Sequence, residues 1–205
     1  MTDKSIEYKS IIMRCDKVNS DAYKTLDSDI VIEYYVDGME YIWIDIQKAV
    51  GEFDGYADNE ILSYFQKKFM VYINQLKQRC LFLKDNHSGK YIGTCCAWFD
   101  NKEDKIIPVL YWLAVKDEFA NHGYARILIT EIIKIFQNIN PNESIYLHTQ
   151  PCSYRAIKIY NDFGFCIAQK DTYGTAINNC EEAMEILRTH LGLEVYEKLE
   201  RTLVL

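Results

Sequence analysis

The chain's 205 residues are 49% hydrophobic and 26% charged, the balance of a soluble globular protein with room for one well-filled core. Its 30 Asp and Glu against 23 Lys and Arg leave a formal charge of −7, which argues against general nucleic-acid binding, a function that needs a basic face. The excess fits a neutral or cationic small partner and selects nothing further.

Segments 7–14 and 29–36 read as strands, the second closed by Asp37-Gly38. From Met39 to Val50, the residues Ile42, Ile46, Ala49 and Val50 recur at helical spacing, and Gly51 stands where a glycine would end the helix. Glu52-Phe53-Asp54-Gly55 is then a short acidic loop. A second helix is predicted from Asp58 or Asn59, either able to cap it, to Leu76, with Ile61, Leu62, Phe65, Phe69, Ile73 and Leu76 on its apolar face. Segments 79–83 and 91–99 flank a polar turn and predict a hairpin, and 106–115 is the next strand.

That strand ends in Tyr111-Trp112-Leu113-Ala114-Val115 and passes through a polar turn holding Gly123 into a long helix. Within the helix Arg126, Thr130, Lys134 and Gln137 form one polar stripe, and nearly everything else is apolar, so most of its circumference should be covered. A strand feeding a helix through a glycine turn presents backbone N–H groups at the positive end of the helix dipole, which suits a bound phosphate. After Asn140-Pro141-Asn142, 144–149 reads as a strand. Pro151 to Ser153 opens a helix with Ser153 as its N-cap, and Gly164-Phe165 ends it. A closing strand at 165–169 and one or two helices within 178–199 complete the chain.

No repeat or linker interrupts this order, so 1–205 is expected to be a single domain, with 175–205 as a helical extension. Seven cysteines lack any Cys-x-x-Cys pair or zinc spacing, so reduced thiols and no metal are expected. Met1-Thr2-Asp3-Lys4-Ser5 does not begin a signal peptide, and no apolar run reaches the roughly 18–20 residues needed to span a bilayer. A cytoplasmic location without a membrane partner follows as the expectation.

The run Val115 to Leu128, then Tyr146-Leu147-His148-Thr149-Gln150, then Ser153-x-x-Ala156-Ile157-x-x-Tyr160-x-x-x-Gly164-Phe165, resembles the GNAT superfamily of acyl-CoA-dependent N-acetyltransferases. The family's cofactor signature, Gln/Arg-x-x-Gly-x-Gly/Ala, aligns with Ala120-x-x-Gly123-x-Ala125. Ala120 thus stands where the family has Gln or Arg, and Ser153 where it has Asn. The resemblance implies an α/β (mixed α+β), three-layer fold: a mostly antiparallel twisted sheet of six to seven strands, splayed between the family's fourth and fifth, and flanked by helices. It implies acetyl-CoA as acyl donor, held by Leu113, Ala114 and Val115, by Asn121, His122, Gly123, Tyr124, Ala125 and Arg126, and by Ser153 and Tyr160.

The implied reaction is direct acetyl transfer to a primary amine of a small molecule or peptide in a ternary complex; the alternative is a non-catalytic CoA-binding module of the same fold. By resemblance Tyr160 is the general acid that protonates the leaving thiolate, for which a phenol of pKa about 10 is suited. The ammonium of the acceptor must lose a proton before attack, and Glu52, Asp54, Glu118 and His148 are the candidate bases. A relay through Cys152 and His148 is a remoter route. Glu33, Tyr34 and Tyr35 with Trp43 and Trp98 are candidates for the acceptor pocket, although aromatics at such spacings more often fill a core. A nucleotide binder is disfavoured, since neither Gly-x-Gly-x-x-Gly nor a P-loop is present. The apolar tail Thr202-Leu203-Val204-Leu205 suggests a homodimer contact.

Overall fold

The computed structural model describes residue 3 and residues 5–205; Met1, Thr2 and Lys4, part of the stretch read above as no signal peptide, lie outside the described residues. Seven strands form one mixed sheet: β1 Ile11–Cys15, β2 Ile30–Tyr34, β3 Cys80–Asp85, β4 Tyr91–Lys102, β5 Lys105–Val115, β6 Ile145–Thr149 and β7 Cys166–Ile167. Their order is β2-β3-β4-β5-β6-β1-β7. Pairing is antiparallel for β2 with β3, β3 with β4, and β1 with both β6 and β7, while β5 meets β6 in parallel at Val109↔Tyr146. The helices are α1 Glu40–Ala49, α2 Asp58–Lys68, α3 Ile73–Arg79, α4 Tyr124–Ile139, α5 Tyr154–Asp162, α6 Cys180–His190 and α7 Leu193–Arg201. The chain divides into two compact units: residues 1–23, 99–110 and 136–205 make the first, and 24–98 and 111–135 the second.

In the first unit, β1 lies between β6 and β7, and Ile11, Ile12 and Met13 are all fully buried. A central strand covered on both faces needs an unbroken apolar run, which Ile11-Ile12-Met13 supplies. Gly164 ends α5 at φ +98°; a Cβ there would lie 2.4 Å from the Lys17 carbonyl oxygen. Asn19 seals the same corner, its N–H donating to the Phe163 carbonyl at 2.9 Å. Asp171 accepts from Arg14 at 3.0 Å, from the Tyr146 hydroxyl at 3.2 Å and from Lys102. The tail is held by its own chain, where the Val204 N–H donates to the Ile167 carbonyl at 3.0 Å and Val204 bridges Ala168.

The second unit holds β2, β3, α1, α2 and α3 with the ends of β4 and β5 and most of α4. Three expectations are corrected there. The buried face of α1 is Trp43, Ile44, Ile46 and Gln47 rather than the stripe through Ile42 and Ala49. The second helix begins at Asp58, as read, but its N-cap is Ala57, whose N–H donates to Glu60 at 2.8 Å, and Asp58 falls in the first turn. It also breaks after Lys68 into a 3-10 turn at Met70–Tyr72 before α3. The break accompanies packing of the buried Phe69 ring against Trp43, Phe65 and Trp98, the last edge-on at 4.9 Å. Burying such a ring contributes about 1.5–3 kcal/mol, well above the cost of one weakened helical turn.

Candidate active site

In the second unit, β5 runs Tyr111 to Val115 with Trp112 at φ +55°, a left-handed conformation that is strained for a bulky side chain. The structure over-determines it. The buried Gln47 amide donates to the Trp112 carbonyl at 3.0 Å, and the Trp112 indole N–H donates to the Tyr64 hydroxyl at 3.0 Å. The Trp112 ring stacks on Phe53 at 5.1 Å and meets Trp43 edge-on at 5.5 Å. Phe53 is itself left-handed, at φ +58°. Glu52 adjoins Phe53, and its N–H donates to the Gln47 carbonyl at 2.9 Å. The acidic loop predicted from sequence is therefore tied to β5 through Gln47, Phe53 and Trp112. Of its two acids, Glu52 is half-buried and Asp54 exposed; Glu118, beyond β5, is also exposed.

Past β5 the backbone turns left-handed at Asn121 (φ +67°) and Gly123 (φ +82°) and then enters α4. Ala114 is buried, and Leu113 and Val115 are half-buried, as are Gly123, Tyr124, Ala125 and Arg126; Asn121 and His122 are exposed. The His122 ring stacks on Tyr124 at 5.5 Å. The first-turn N–H groups of α4 have no acceptor inside the helix, and left-handed residues beside them widen the concavity they line. The polar stripe of α4 is partly covered: Thr130 is buried and its hydroxyl accepts the Lys24 N–H at 3.1 Å. Lys24 then extends along the helix start, where its Nζ donates to the His122 carbonyl at 2.5 Å.

In the first unit, Tyr160 is buried on α5, its ring 6.0 Å from that of Phe165. Ser153 is the N-cap residue of α5, as read from sequence, but its side chain makes no cap bond; a preceding 3-10 turn at Pro151–Ser153 already orders that entry. His148 projects from β6 toward β1, with Nε2 2.8 Å from the Ser10 hydroxyl and 3.4 Å from the Tyr8 hydroxyl. The Ser10 hydroxyl also donates to the Ile177 carbonyl. Burial lowers the His148 pKa below the ordinary histidine value, so the ring is neutral at pH 7 and able to accept a proton. Cys152, the other member of the relay read from sequence, is buried.

The aromatic acceptor-pocket candidates separate. Tyr35, Trp43 and Trp98 are fully buried core residues, Tyr34 is exposed, and Glu33 is held by Lys84 at 3.0 Å and by the Tyr91 hydroxyl at 2.5 Å. The seven cysteines are free thiols, six of them buried, and burial pushes the Cys15 thiol up to about 12. Among the described residues no cluster of His, Cys, Asp and Glu could hold a metal ion, and no helix is long and apolar enough to cross a membrane. Sequence reading missed Trp112, Gln47 and Lys24. Gln47 left one usable signal, a polar residue four positions after Trp43 on the same helix face. Lys24 left none, because its contact joins segments remote in sequence.

A GCN5-related N-acetyltransferase from Sphaerobacter thermophilus superposes with TM-score 0.55 and 14% identity, over 82% of this chain and 50% of that one. An acetyltransferase from the GNAT family of Colwellia psychrerythraea gives 0.54 and 14%, over 81% and 55%. The aminoglycoside N-acetyltransferase AAC(6')-Iy, in complex with CoA, gives 0.54 and 17%, over 75% and 95%. The chain thus spans about half the length of the first solved structures it matches, and at these identities the likeness shows the fold. No curated protein matches the sequence. The family model for the acetyltransferase (GNAT) family matches residues 39–165, from the start of α1 to the end of α5 and including both Gly123 and Tyr160. With more than half of its length in that match, the chain belongs to the GNAT acetyltransferase family, whose members are acyltransferases.

Proposed function

We propose that the chain is an acetyl-CoA-dependent N-acetyltransferase that acts on a primary amine of a small molecule or peptide by direct transfer. The observation that carries this reading is the turn between β5 and α4. Gly123 is left-handed, Ala125 is small, and the first-turn N–H groups of the helix lie beside them, inside the segment the family model matches. Those residues fit a pyrophosphate, which needs close backbone approach and donors rather than large side chains. Two matched structures carry related ligands: AAC(6')-Iy is in complex with CoA, and Arabidopsis thaliana Naa50 (TM-score 0.50, 19% identity, over 66% of this chain and 82% of that one) is in complex with a bisubstrate analogue, CoA-Ac-MVNAL.

When bound, acetyl-CoA supplies an acetyl group activated as a thioester. Backbone N–H groups from His122 to Arg126 would hold its pyrophosphate, and the strand edge at Leu113, Ala114 and Val115 would offer backbone partners to its amide arm. Glu52 or His148 would take the proton that the acceptor ammonium must lose. Once the amine nitrogen has bonded to the carbonyl carbon, the C–S bond breaks, and Tyr160 gives its phenolic proton to the departing sulfur. The nitrogen loses its second proton as the amide forms, and that proton restores the phenol through solvent, so amide and free thiol are made with one net proton left on the base.

The test is thiol release from acetyl-CoA across a panel of amines, run beside calorimetric CoA binding. Amine-dependent thiol release at rates above the no-enzyme control is expected. CoA binding with no turnover on any amine would replace this reading by a CoA-binding module, and absence of CoA binding would reject it.

A further inference from the structure

The start of α4 is electrostatically inconsistent. It is the positive end of a helix dipole, where a cation is disfavoured, yet Lys24 places its ammonium on the His122 carbonyl there at 2.5 Å. The placement is not a loose surface excursion. The Lys24 backbone is pinned by its N–H to the buried Thr130 hydroxyl, and its side chain is two-thirds covered. Its Nζ occupies the space that a Cβ on Gly123 would take, at 2.5 Å, so the absence of a side chain at 123 is what admits the lysine. Nor does a carboxylate account for it, since the ion-pair partner Asp27 stands off at 3.9 Å.

Two sources of positive potential therefore converge on one turn, and an anion bound there would relieve both. Burial and the negative charges of Asp27, Asp85 and Asp29 raise the Tyr124 hydroxyl, so carboxylates act on this first-turn side chain. The sequence has also lost a donor: the family signature begins with Gln or Arg, and this chain has Ala120 in that place. The geometry points to Lys24 as a pyrophosphate-binding residue, brought from the segment between β1 and β2 to do what Ala120 cannot. It rests on the CoA reading above and adds to it the side chain that supplies the counter-charge.

Calorimetric titration of Lys24→Met and Lys24→Arg with CoA, dephospho-CoA and pantetheine tests it, with urea unfolding as the check on folding. Lys24→Met should weaken CoA and dephospho-CoA binding by about 10-fold or more, the scale of one charge-assisted hydrogen bond. Pantetheine binding should not change, and Lys24→Arg should recover most of the loss. CoA affinity of Lys24→Met within about twofold of wild type overturns the inference while leaving the CoA reading intact. Equal losses for pantetheine would make Lys24 structural, and a loss confined to CoA would assign it to the 3′-phosphate; either overturns the pyrophosphate assignment. A wild-type chain that binds no CoA fails the parent reading instead.

Discussion

Replacing Gln47 by Leu tests whether the left-handed turn at Trp112 is imposed by its neighbours. Gln47 is buried at 1% exposure, and its amide donates to the Trp112 carbonyl at 3.0 Å. Leucine keeps most of the volume and removes the donor. The carbonyl is then left without its partner where water cannot easily follow, at a cost of about 1–3 kcal/mol. Left-handed backbone at a tryptophan stores a further ~1–3 kcal/mol of strain, so part of the lost stability is recoverable if Trp112 relaxes to extended geometry. Relaxation would swing its ring off Phe53, now stacked at 5.1 Å, and off the Tyr64 hydroxyl at 3.0 Å. Two readouts follow. Urea unfolding should show a net loss of about 1–3 kcal/mol, or roughly 3–9 °C in Tm for a chain of this size. Near-UV circular dichroism should lose intensity in the tryptophan bands. A loss below about 0.5 kcal/mol with an unchanged spectrum would show that Gln47 does not hold the turn.

Tyr160→Phe should lower turnover with little change in CoA affinity, since it removes a proton donor and leaves the buried ring in place; unchanged turnover removes Tyr160 from the mechanism. Gly164→Ala should cost at least about 2 kcal/mol, because it combines left-handed backbone with a Cβ only 2.4 Å from the Lys17 carbonyl. Gly55→Ala (φ +83°), with nothing within 4 Å, should cost only about 1 kcal/mol in the same urea series, and equal losses would discredit the clash argument. Asp171→Asn removes the counter-charge of Lys102 and one of the two of Arg14, which keeps Asp16, and should destabilise by about 1–3 kcal/mol, below the fully buried range because both cations keep some solvent. Burial alone would raise the Asp171 carboxyl, but Lys102 and Arg14 more than offset it, so the folded pKa lies below 3.8. The stabilisation is therefore full above about pH 4 and is lost as pH falls through the folded value. Acid unfolding of the Asn variant should be correspondingly less steep, and identical profiles would refute the linkage.

Local pattern carried much of the fold. Apolar runs placed β3 to β6, helical spacing placed α1, α4 and α6, and the positive φ of Gly51 and Gly164 lies where helix-ending glycines were read, that of Gly123 where a turn glycine was read. These are decisions made within one or two turns of chain, so the residues that make them are adjacent in sequence. The misplacements have the opposite character. Nothing near Phe69 says that its helix must break; the break serves a ring that packs on Trp43 and Trp98. Nothing near Trp112 says that it is left-handed, because the restraints come from Gln47, Phe53 and Tyr64.

By itself the sequence determined the strand, glycine turn and helix that suit a pyrophosphate, the tyrosine ahead of Gly164-Phe165, and hence the family. Each depends on short-range backbone geometry that Gly, Ala and apolar spacing dictate. Tertiary structure alone decided that β1 enters the sheet between β6 and β7, that Ser10 meets His148, and that Lys24 reaches the start of α4. Such contacts close loops of many residues, and their free energy comes from burial and pairing that no local stretch encodes.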